Sequence, residues 1–523
     1  MEAIPQENLE PFDPDKKYTD KEMEKLVESV QENHAAHMKR IGKTDYEPLS
    51  RELILCENIN KIKKEPVIIK TIHTTDLGNA KRFVANYGNH IRYNWTTDQW
   101  LHYDGTRWNP HTGKAAAQRF ACNVARDILS EADKLVNLQD RKKVANWSFT
   151  SESSFRIRAM LQLVKSLSPI ECYVEDFDKD QYLFNCNNGT LDLRTGKLRK
   201  HNPDDMISKL APVTWTGEKS SLDGDQKWIG CCVTWTDDDK DAIDYLQRLG
   251  GMCLTGDTTS RVFPIFWGTG KNGKNVFLDT LMRLMGDYAT VAPRSLLKAS
   301  YNEEHATEIA GLVGMRLVVA SETKRNMKLK TSLVKAMTGD AKIKGRFMRQ
   351  DYFEFSPTHK VILMTQNLPI IDETTDAIWD RVHKVKWGIR IPENEQDYQL
   401  LKKLESEWPY ILGWFVAGCL KWQEDEYLKP TQAIIEDTLD YRREMHPLKD
   451  FLEERCINGT SEFVPVTELK KEYDDWDTNK KKMTSRDFNL YMSECGYLYK
   501  SKKVGGKPVK SWIGLRLRGN SDE

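Results

Sequence analysis

Hydrophobic and polar positions change their rhythm several times along the chain. RYNW, QWLHYDG and RW are short aromatic-rich runs closed by turn residues such as Asp-Gly, the pattern of strands. A helical piece precedes them and a helical region follows to about Ser168. LFNCNNGTLDLRTGKLR predicts a hairpin that turns at Asn188-Gly189 and Thr195-Gly196. From Gln226 the apolar runs become nearly continuous and β-branched: RVFPIFW, RLVVASE and HKVILMT, with helices between them. That alternation predicts a largely parallel sheet whose working edge lies at the strand C-termini. From His446, PLKDFLEERC, PVTELKKEYDDW and TSRDFNLYMSECG predict three short amphipathic helices. YLYKSKKVGGKPVKSWIGLRLR predicts a hairpin with a basic, glycine-rich tip, completing a winged-helix pattern. The expected fold is therefore α/β, in four parts. Residues 1–74 form a helical or partly disordered extension, 75–225 a mixed α/β domain, 226–445 the phosphate-loop unit and 446–523 the winged helix.

Composition narrows this picture. Lys+Arg and Asp+Glu both number 78, so the net charge is zero and any nucleic-acid contact must come from local basic patches. The ten cysteines include no C-x-x-C, which fits buried thiols in a reducing compartment and no zinc site. The longest apolar run, YILGWFVAGCL (Tyr410–Leu420), is too short to cross a bilayer and reads as a buried helix. The acidic N-terminus lacks the apolar core of a signal peptide. The expectation is a cytoplasmic protein without a membrane partner.

PIFWGTGKNGKNVFLDTLMRLMG carries the chemistry. Gly268, Thr269, Gly270, Lys271, Asn272, Gly273, Lys274 and Asn275 follow an apolar strand and open a helix. This is the context in which backbone N–H groups cradle phosphates and Lys274 reaches the β/γ-phosphates. Asn275 stands where Ser or Thr usually binds Mg²⁺; its side-chain oxygen is also a hard ligand. Glu322 ends RLVVASE and is the candidate to orient the attacking water. Gln366 and Asn367 follow the third strand and are placed to sense the γ-phosphate. Arg381, in DAIWDRVHKVKW, lies between an amphipathic turn and a strand, either acting across a subunit boundary or paired with Asp376 or Asp380. A glycine-rich turn without ligand, a surface Glu and ordinary loop chemistry are the competing readings of the separate pieces.

Taken together and in this order, GKNGKNVFLDTLMRLMGDYA, AGLVGMRLVVASE, KTSLVKAMTGDAKIKGRFMRQDYFEFSPTHKVILMTQNLPII and DAIWDRVHKVKW resemble the superfamily 3 helicases. The closest likeness is to the phage, plasmid and poxvirus primase-helicase group. The resemblance covers most of the chain after residue 75. It implies an AAA+ type ATPase core that uses ATP and Mg²⁺ as a homo-oligomeric ring, commonly a hexamer, around single-stranded and forked DNA. In that reading Glu322 polarises water, Arg381 serves a neighbour's nucleotide, and Lys344, Arg346 and Arg349 lie on or near a hairpin in the channel. Two departures stand out: the loop ends Lys-Asn, and the sensor Asn becomes Gln366 with Asn367 one residue late. Only about 75 residues precede the resemblance, so a primase or polymerase would be a separate partner. Lys502, Lys503 and Lys507, with Lys510, make the wing a further DNA contact. The alternatives are an ATPase that loads or remodels another replication protein, and a DNA-binding initiator with weak ATPase. The basic hairpin favours the helicase over the first, and Glu322 with Arg381 over the second.

Overall fold

The computed structural model describes residues 73–217, 227–293, 295–299, 306–321, 327–339, 342–348, 351–373, 375–445, 448–477, 483–505 and 507–519. The expected extension, residues 1–74, lies almost wholly outside them. The chain divides into two compact units.

The first described unit is helical. It holds α1 (Asp76–Tyr87), most of α2 (Pro110–Asp133), α3 (Leu138–Ser151) and α4 (Ser154–Val164). Thr75 caps α1 by accepting the Gly78 amide, one of the donors that a helix start leaves unpaired. Ala80, Phe83, Val124, Ile128, Met160 and Val164 are buried. Polar ties secure the bundle: Arg82 meets Glu131 at 2.8 Å and Asn79 donates to Ser151 at 2.9 Å.

The second unit contains everything else. β1 (Ile91–Asn94), β2 (Gln99–Tyr103), β3 (Trp108–Asn109) and β4 (Glu171–Cys172) form a mixed sheet in the order β3-β2-β1-β4. β5 (Leu183–Cys186), β6 (Gly189–Asp192) and β7 (Lys197–Arg199) form an antiparallel meander. Trp100 and Trp108 pack inward, whereas Trp95 is exposed.

Two helices then lead into the main sheet, α5 (Lys227–Thr236) and α6 (Lys240–Leu254). The sheet comprises β8 (Phe263–Trp267), β9 (Ala289–Val291), β10 (Leu317–Ser321), β13 (Lys360–Thr365) and β14 (Val382–Lys386), with α7 (Lys274–Met285) directly after β8. Its order is β14-β8-β13-β10-β9, and every pairing is parallel. β8 is thus interior, flanked by two strands that come much later in the chain. That is a topological switch point, where open parallel sheets bind ligands beyond their strand C-termini. A separate hairpin, β11 (Ile343–Gly345) and β12 (Phe353–Phe355), precedes β13.

The floor of this sheet carries two buried cations. Arg316, just before β10, donates to the carbonyls of Leu254 (2.5 Å) and Leu183 (2.7 Å) and lies over the Tyr288 ring. Lys360, at the start of β13, donates to the carbonyls of Thr255 and Asp257. Both neutralise the negative C-terminal end of α6. Burial pushes the Arg316 pKa down and that of Lys360 down to about 8.

Two longer helices follow the sheet: α9 (Trp408–Asp425) and α10 (Gln432–Met445), with the short α8 (Asp376–Trp379) lying before β14. α9 contains the apolar run read as a buried helix, and its Ile411, Trp414, Phe415 and Cys419 are buried. It meets α6 through glycines: a β-carbon on Gly250 would overlap the Phe415 ring, and one on Gly251 or Gly418 would overlap main chain.

The C-terminal elements run α11 (Lys449–Arg455), β15 (Cys456–Pro465), α12 (Val466–Trp476), α13 (Ser485–Glu494), β16 (Leu498–Val504) and β17 (Lys507–Leu517). Three helices and the hairpin form where the pattern predicts them. β15 is additional: it pairs with β17, making a sheet of order β15-β17-β16. Its sequence, CINGTSEFVP, reads as loop, and only the partner strand makes it extended. No helix among the described residues is long and apolar enough to cross a membrane.

Candidate active site

The loop between β8 and α7 is shaped by backbone conformations that few residues accept. Gly270 (φ 100°), Lys271 (φ 54°) and Gly273 (φ 84°) all lie in left-handed territory. Gly268 donates its amide to Thr365 O at 3.3 Å, and a β-carbon on it would overlap Asn272 and the Trp387 carbonyl. Asn272 is buried and donates to Trp387 O at 2.9 Å. Ile391 donates to Lys271 O at 2.8 Å. The exit of β14 therefore pins the loop from one side.

Lys274 begins α7. It is only 3% exposed, and its Nζ donates to Gly268 O at 2.9 Å, bridging the loop. Burial lowers its pKa, so the ammonium is costly to keep without an anion and is poised for one. Asn275 is exposed, and its carboxamide has no hydrogen-bond partner among the described residues. Thr269 is exposed and Lys271 lies 3.9 Å from Glu393. Among the described residues no group of three His, Cys, Asp or Glu could hold a metal. The Asn275 carboxamide oxygen, a hard donor in the first turn of α7, is the candidate ligand for a divalent cation there.

Next to β8, β13 brings the sensor segment to the loop. Thr365 pairs with Trp267, and Thr365 Oγ1 donates to Asn367 O at 2.7 Å while accepting the Asn367 amide at 3.0 Å. This tight turn presents Gln366. Its Nε2 lies 3.7 Å from where a β-carbon on Gly270 would be, and its carbonyl accepts from Trp267 Nε1 at 3.1 Å. Of the two candidate sensor residues, Gln366 is therefore the one whose side chain lies against the loop. Glu322 lies outside the described residues; its predecessor Ser321 pairs with Met364.

Arg381 is at the other end of the sheet. Val382 pairs with Phe263 and Lys386 with Trp267, so Arg381 stands opposite Val262, and six rises, roughly 20 Å, separate it from Gly268 at the start of the loop. Its guanidinium donates to Ala377 O, and its Nε is buried without a partner among the described residues. Asp376, one acid expected to pair with it, is held by Arg442 at 2.6 Å.

The basic positions are dispersed. Lys344 meets Glu354 at 3.5 Å on the β11–β12 hairpin, and Arg346 lies over the Tyr352 ring. Met348 and Tyr352 between them are exposed. Arg349 lies outside the described residues. Lys502, Lys503, Lys507 and Lys510 are all exposed on β16 and β17.

Two tryptophans escaped the sequence reading. Trp235 at the end of α5 lies directly beneath Gly273, and Trp387 holds Asn272. Their signal was weak: each sits in a run that reads as ordinary core.

Comparison with known proteins gives two family matches. D5 N terminal like matches residues 80–245, and a family of unknown function matches residues 266–381. A candidate helicase of Acanthamoeba polyphaga mimivirus is 24% identical over 325 residues, covering 58% of this chain and 34% of its own. One from Frog virus 3 is 23% identical over 434 residues, covering 66% and 43%. One from Invertebrate iridescent virus 3 is 22% identical, covering 59% and 36%. The chain thus spans less than half the length of these relatives. The solved apo structure of the NrS-1 C terminal region is similar at a TM-score of 0.36 and 13% identity, over 61% of this chain and 87% of that one; this likeness is too weak to bear on function. With a D5 N terminal like segment ahead of the phosphate-loop unit, and helicase-named viral relatives along more than half of its length, the chain is similar to the phage and poxvirus-type primase-helicases.

Proposed function

We propose that the chain is a superfamily 3, AAA+ type ATPase that hydrolyses ATP with Mg²⁺ and unwinds DNA as a homo-oligomeric ring, most simply a hexamer. The observation that carries this is the opposition of Lys274 and Arg381 across the sheet. A cation that a phosphate site needs lies at one end of β8, and the candidate finger lies at the other, out of reach of its own loop. Such an arrangement works when the next subunit supplies the arginine.

In this reading the loop amides and Lys274 bind the triphosphate. Asn275 supplies an oxygen to Mg²⁺, which when bound neutralises the developing phosphate charge. Glu322 orients water, Gln366 reports on the γ-phosphate, and Asn367 supports the turn that aims it. Exposed Lys344 and Arg346, with Arg349, grip the strand backbone without regard to sequence. The C-terminal helix–strand–helix–helix–hairpin unit is read as a winged helix, with Lys502, Lys503 and Lys507 along duplex phosphates. Single-stranded and forked DNA are the substrates, in the replication of a phage, plasmid or other mobile element. The test is ATP hydrolysis with and without single-stranded DNA, alongside strand displacement on a forked duplex. DNA-stimulated hydrolysis and displacement, both lost in Lys274→Ala, are expected. Hydrolysis without displacement would turn the reading toward an ATPase that loads another protein.

A further inference from the structure

We infer that Arg442 is a positioning residue for the finger: it holds the carboxylate of Asp376, which would otherwise draw Arg381 back onto its own subunit. The inference rests on the reading of Arg381 as a group that serves a neighbour's nucleotide, and adds what keeps it available for that.

Arg381 follows α8, a helix of four residues and so too short to hold its own shape. Neighbouring elements fix it. Trp379 Nε1 donates to Glu373 O at 3.0 Å, and the Trp379 and Tyr441 ring centroids are 5.3 Å apart. The Tyr441 hydroxyl in turn donates to Pro369 O. α10 runs beside β14: Asp437 meets Lys384 at 3.4 Å, and Thr438 accepts the Lys384 amide at 3.0 Å. About one turn further on, Arg442 reaches α8. Its guanidinium meets Asp376 at 2.6 Å and lies 5.9 Å from the centre of the Trp379 ring.

The charges around α8 show what this contact does. Glu373, Asp376 and Asp380 all shortly precede Arg381. Glu373 takes Lys335 at 2.7 Å, and Asp376 takes Arg442. Asp380 is exposed and makes no ion pair among the described residues; consecutive residues of a helical turn do not face each other. The carbonyl that Arg381 bonds belongs to Ala377, the residue after Asp376. A released Asp376 carboxylate is therefore within reach of the finger, and a carboxylate binds a guanidinium more strongly than a carbonyl does. Asp376 is 72% exposed, so its pair with Arg442 adds little to stability. The pair acts through where it keeps the acid.

Steady-state ATP hydrolysis by the full chain tests this. Arg442→Met keeps a long side chain over Trp379 and releases Asp376. Its turnover should fall by roughly fivefold, the scale of one exposed ion pair, with KM for ATP little changed. Adding Asp376→Asn should restore turnover, because the amide carries no charge to compete for the finger, and Asp376→Asn alone should hydrolyse like wild type. In an Arg381→Ala background, Arg442→Met should cost nothing further. A merely structural tie gives a different pattern: Asp376→Asn slows turnover as much as Arg442→Met, and the double variant is no better. That pattern, or wild-type turnover in Arg442→Met, overturns the inference and leaves the finger standing; wild-type turnover in Arg381→Ala overturns the finger reading itself. Should Arg442→Met fail to fold, Asp376→Asn alone decides: reduced turnover overturns the inference, and wild-type turnover upholds it.

Discussion

Gly273→Ala should damage the protein twice, and the size of the damage follows from two features of its surroundings. At φ 84° an L side chain costs about 1–2 kcal/mol. The new β-carbon also overlaps the Trp235 indole, which has nowhere to go. Trp235 is 3% exposed and packed against Trp228 at 5.8 Å, Trp387 at 6.0 Å and Phe277 at 6.5 Å. Overpacking of this kind costs about 1–3 kcal/mol. The sum, about 2–5 kcal/mol, is a large part of an ordinary domain's stability of about 5–15 kcal/mol. The strain is relieved most cheaply by shifting the loop, so the amide cradle should be lost as well. Urea unfolding followed by tryptophan fluorescence should show a lower midpoint, and tripolyphosphate titration a weaker site. Adding Trp235→Leu makes room, so the double variant should be less damaged than the two single losses predict, by at least ~1 kcal/mol. An unchanged midpoint and affinity in Gly273→Ala, or strict additivity in the double variant, would refute the reasoning.

Arg381→Ala should still bind nucleotide yet hydrolyse it ~10³–10⁵ more slowly, and mixing it with wild type should depress activity below the wild-type fraction; activity in simple proportion would deny a role between subunits. Asn275→Ala should need more Mg²⁺ for half-maximal hydrolysis than wild type, and Asn275→Ser the same or less, read from metal titrations of the rate. Replacing Lys502, Lys503 and Lys507 together by Ala should weaken duplex binding and flatten its salt dependence by roughly 0.9 in log–log slope for each phosphate left unneutralised, leaving basal ATPase intact. Burial holds His383 down to about 4 from an ordinary 6.5, so the unfolded chain takes up a proton that the fold refuses. Its share of the stability should be complete above pH 6.5 and fall as the pH drops toward 4, by roughly 3 kcal/mol at the limit; His383→Gln should make the fall of the unfolding midpoint with pH shallower, the remainder coming from His359, which burial holds down to about 3.

The sequence made the strands legible where burial was two-sided. RVFPIFW, RLVVASE and HKVILMT are apolar throughout because helices cover both faces, and each forms a strand of the main sheet. The order of those strands was not legible, since nothing local to β8 records that β13 and β14 will flank it. β15 was missed for a related reason: its Gly, Ser and Thr have no strand preference of their own, and the pairing with β17 imposes one. In the candidate site, Lys274 and Gly273 were legible through spacing. The placing of Gln366 rather than Asn367 against Gly270 required the Thr365 turn, which depends on two hydrogen bonds invisible to periodicity. Trp235 and Trp387 were hidden because each contributes through its position beneath the loop, and a core tryptophan looks the same in sequence whatever it supports.

The buried pair Arg316 and Lys360 has a consequence for how this chain can vary. Their partners are the main-chain carbonyls of Leu183, Leu254, Thr255 and Asp257, and every amino acid provides a carbonyl. Residues 183, 254, 255 and 257 can therefore drift without unpairing the cations, provided the backbone keeps its path. The cations themselves have no such freedom, because losing either leaves carbonyls buried and unmet. Had the partners been carboxylates, each side of the pair would have been able to change only with the other. Holding charge on backbone instead makes the constraint one-sided: two positions fixed in the floor of the sheet, and four opposite them that hydrogen-bond the cations through main chain, their side chains answering to their own packing and hydrogen bonds, such as buried Leu254 and the Asp257 carboxylate that accepts from Tyr182.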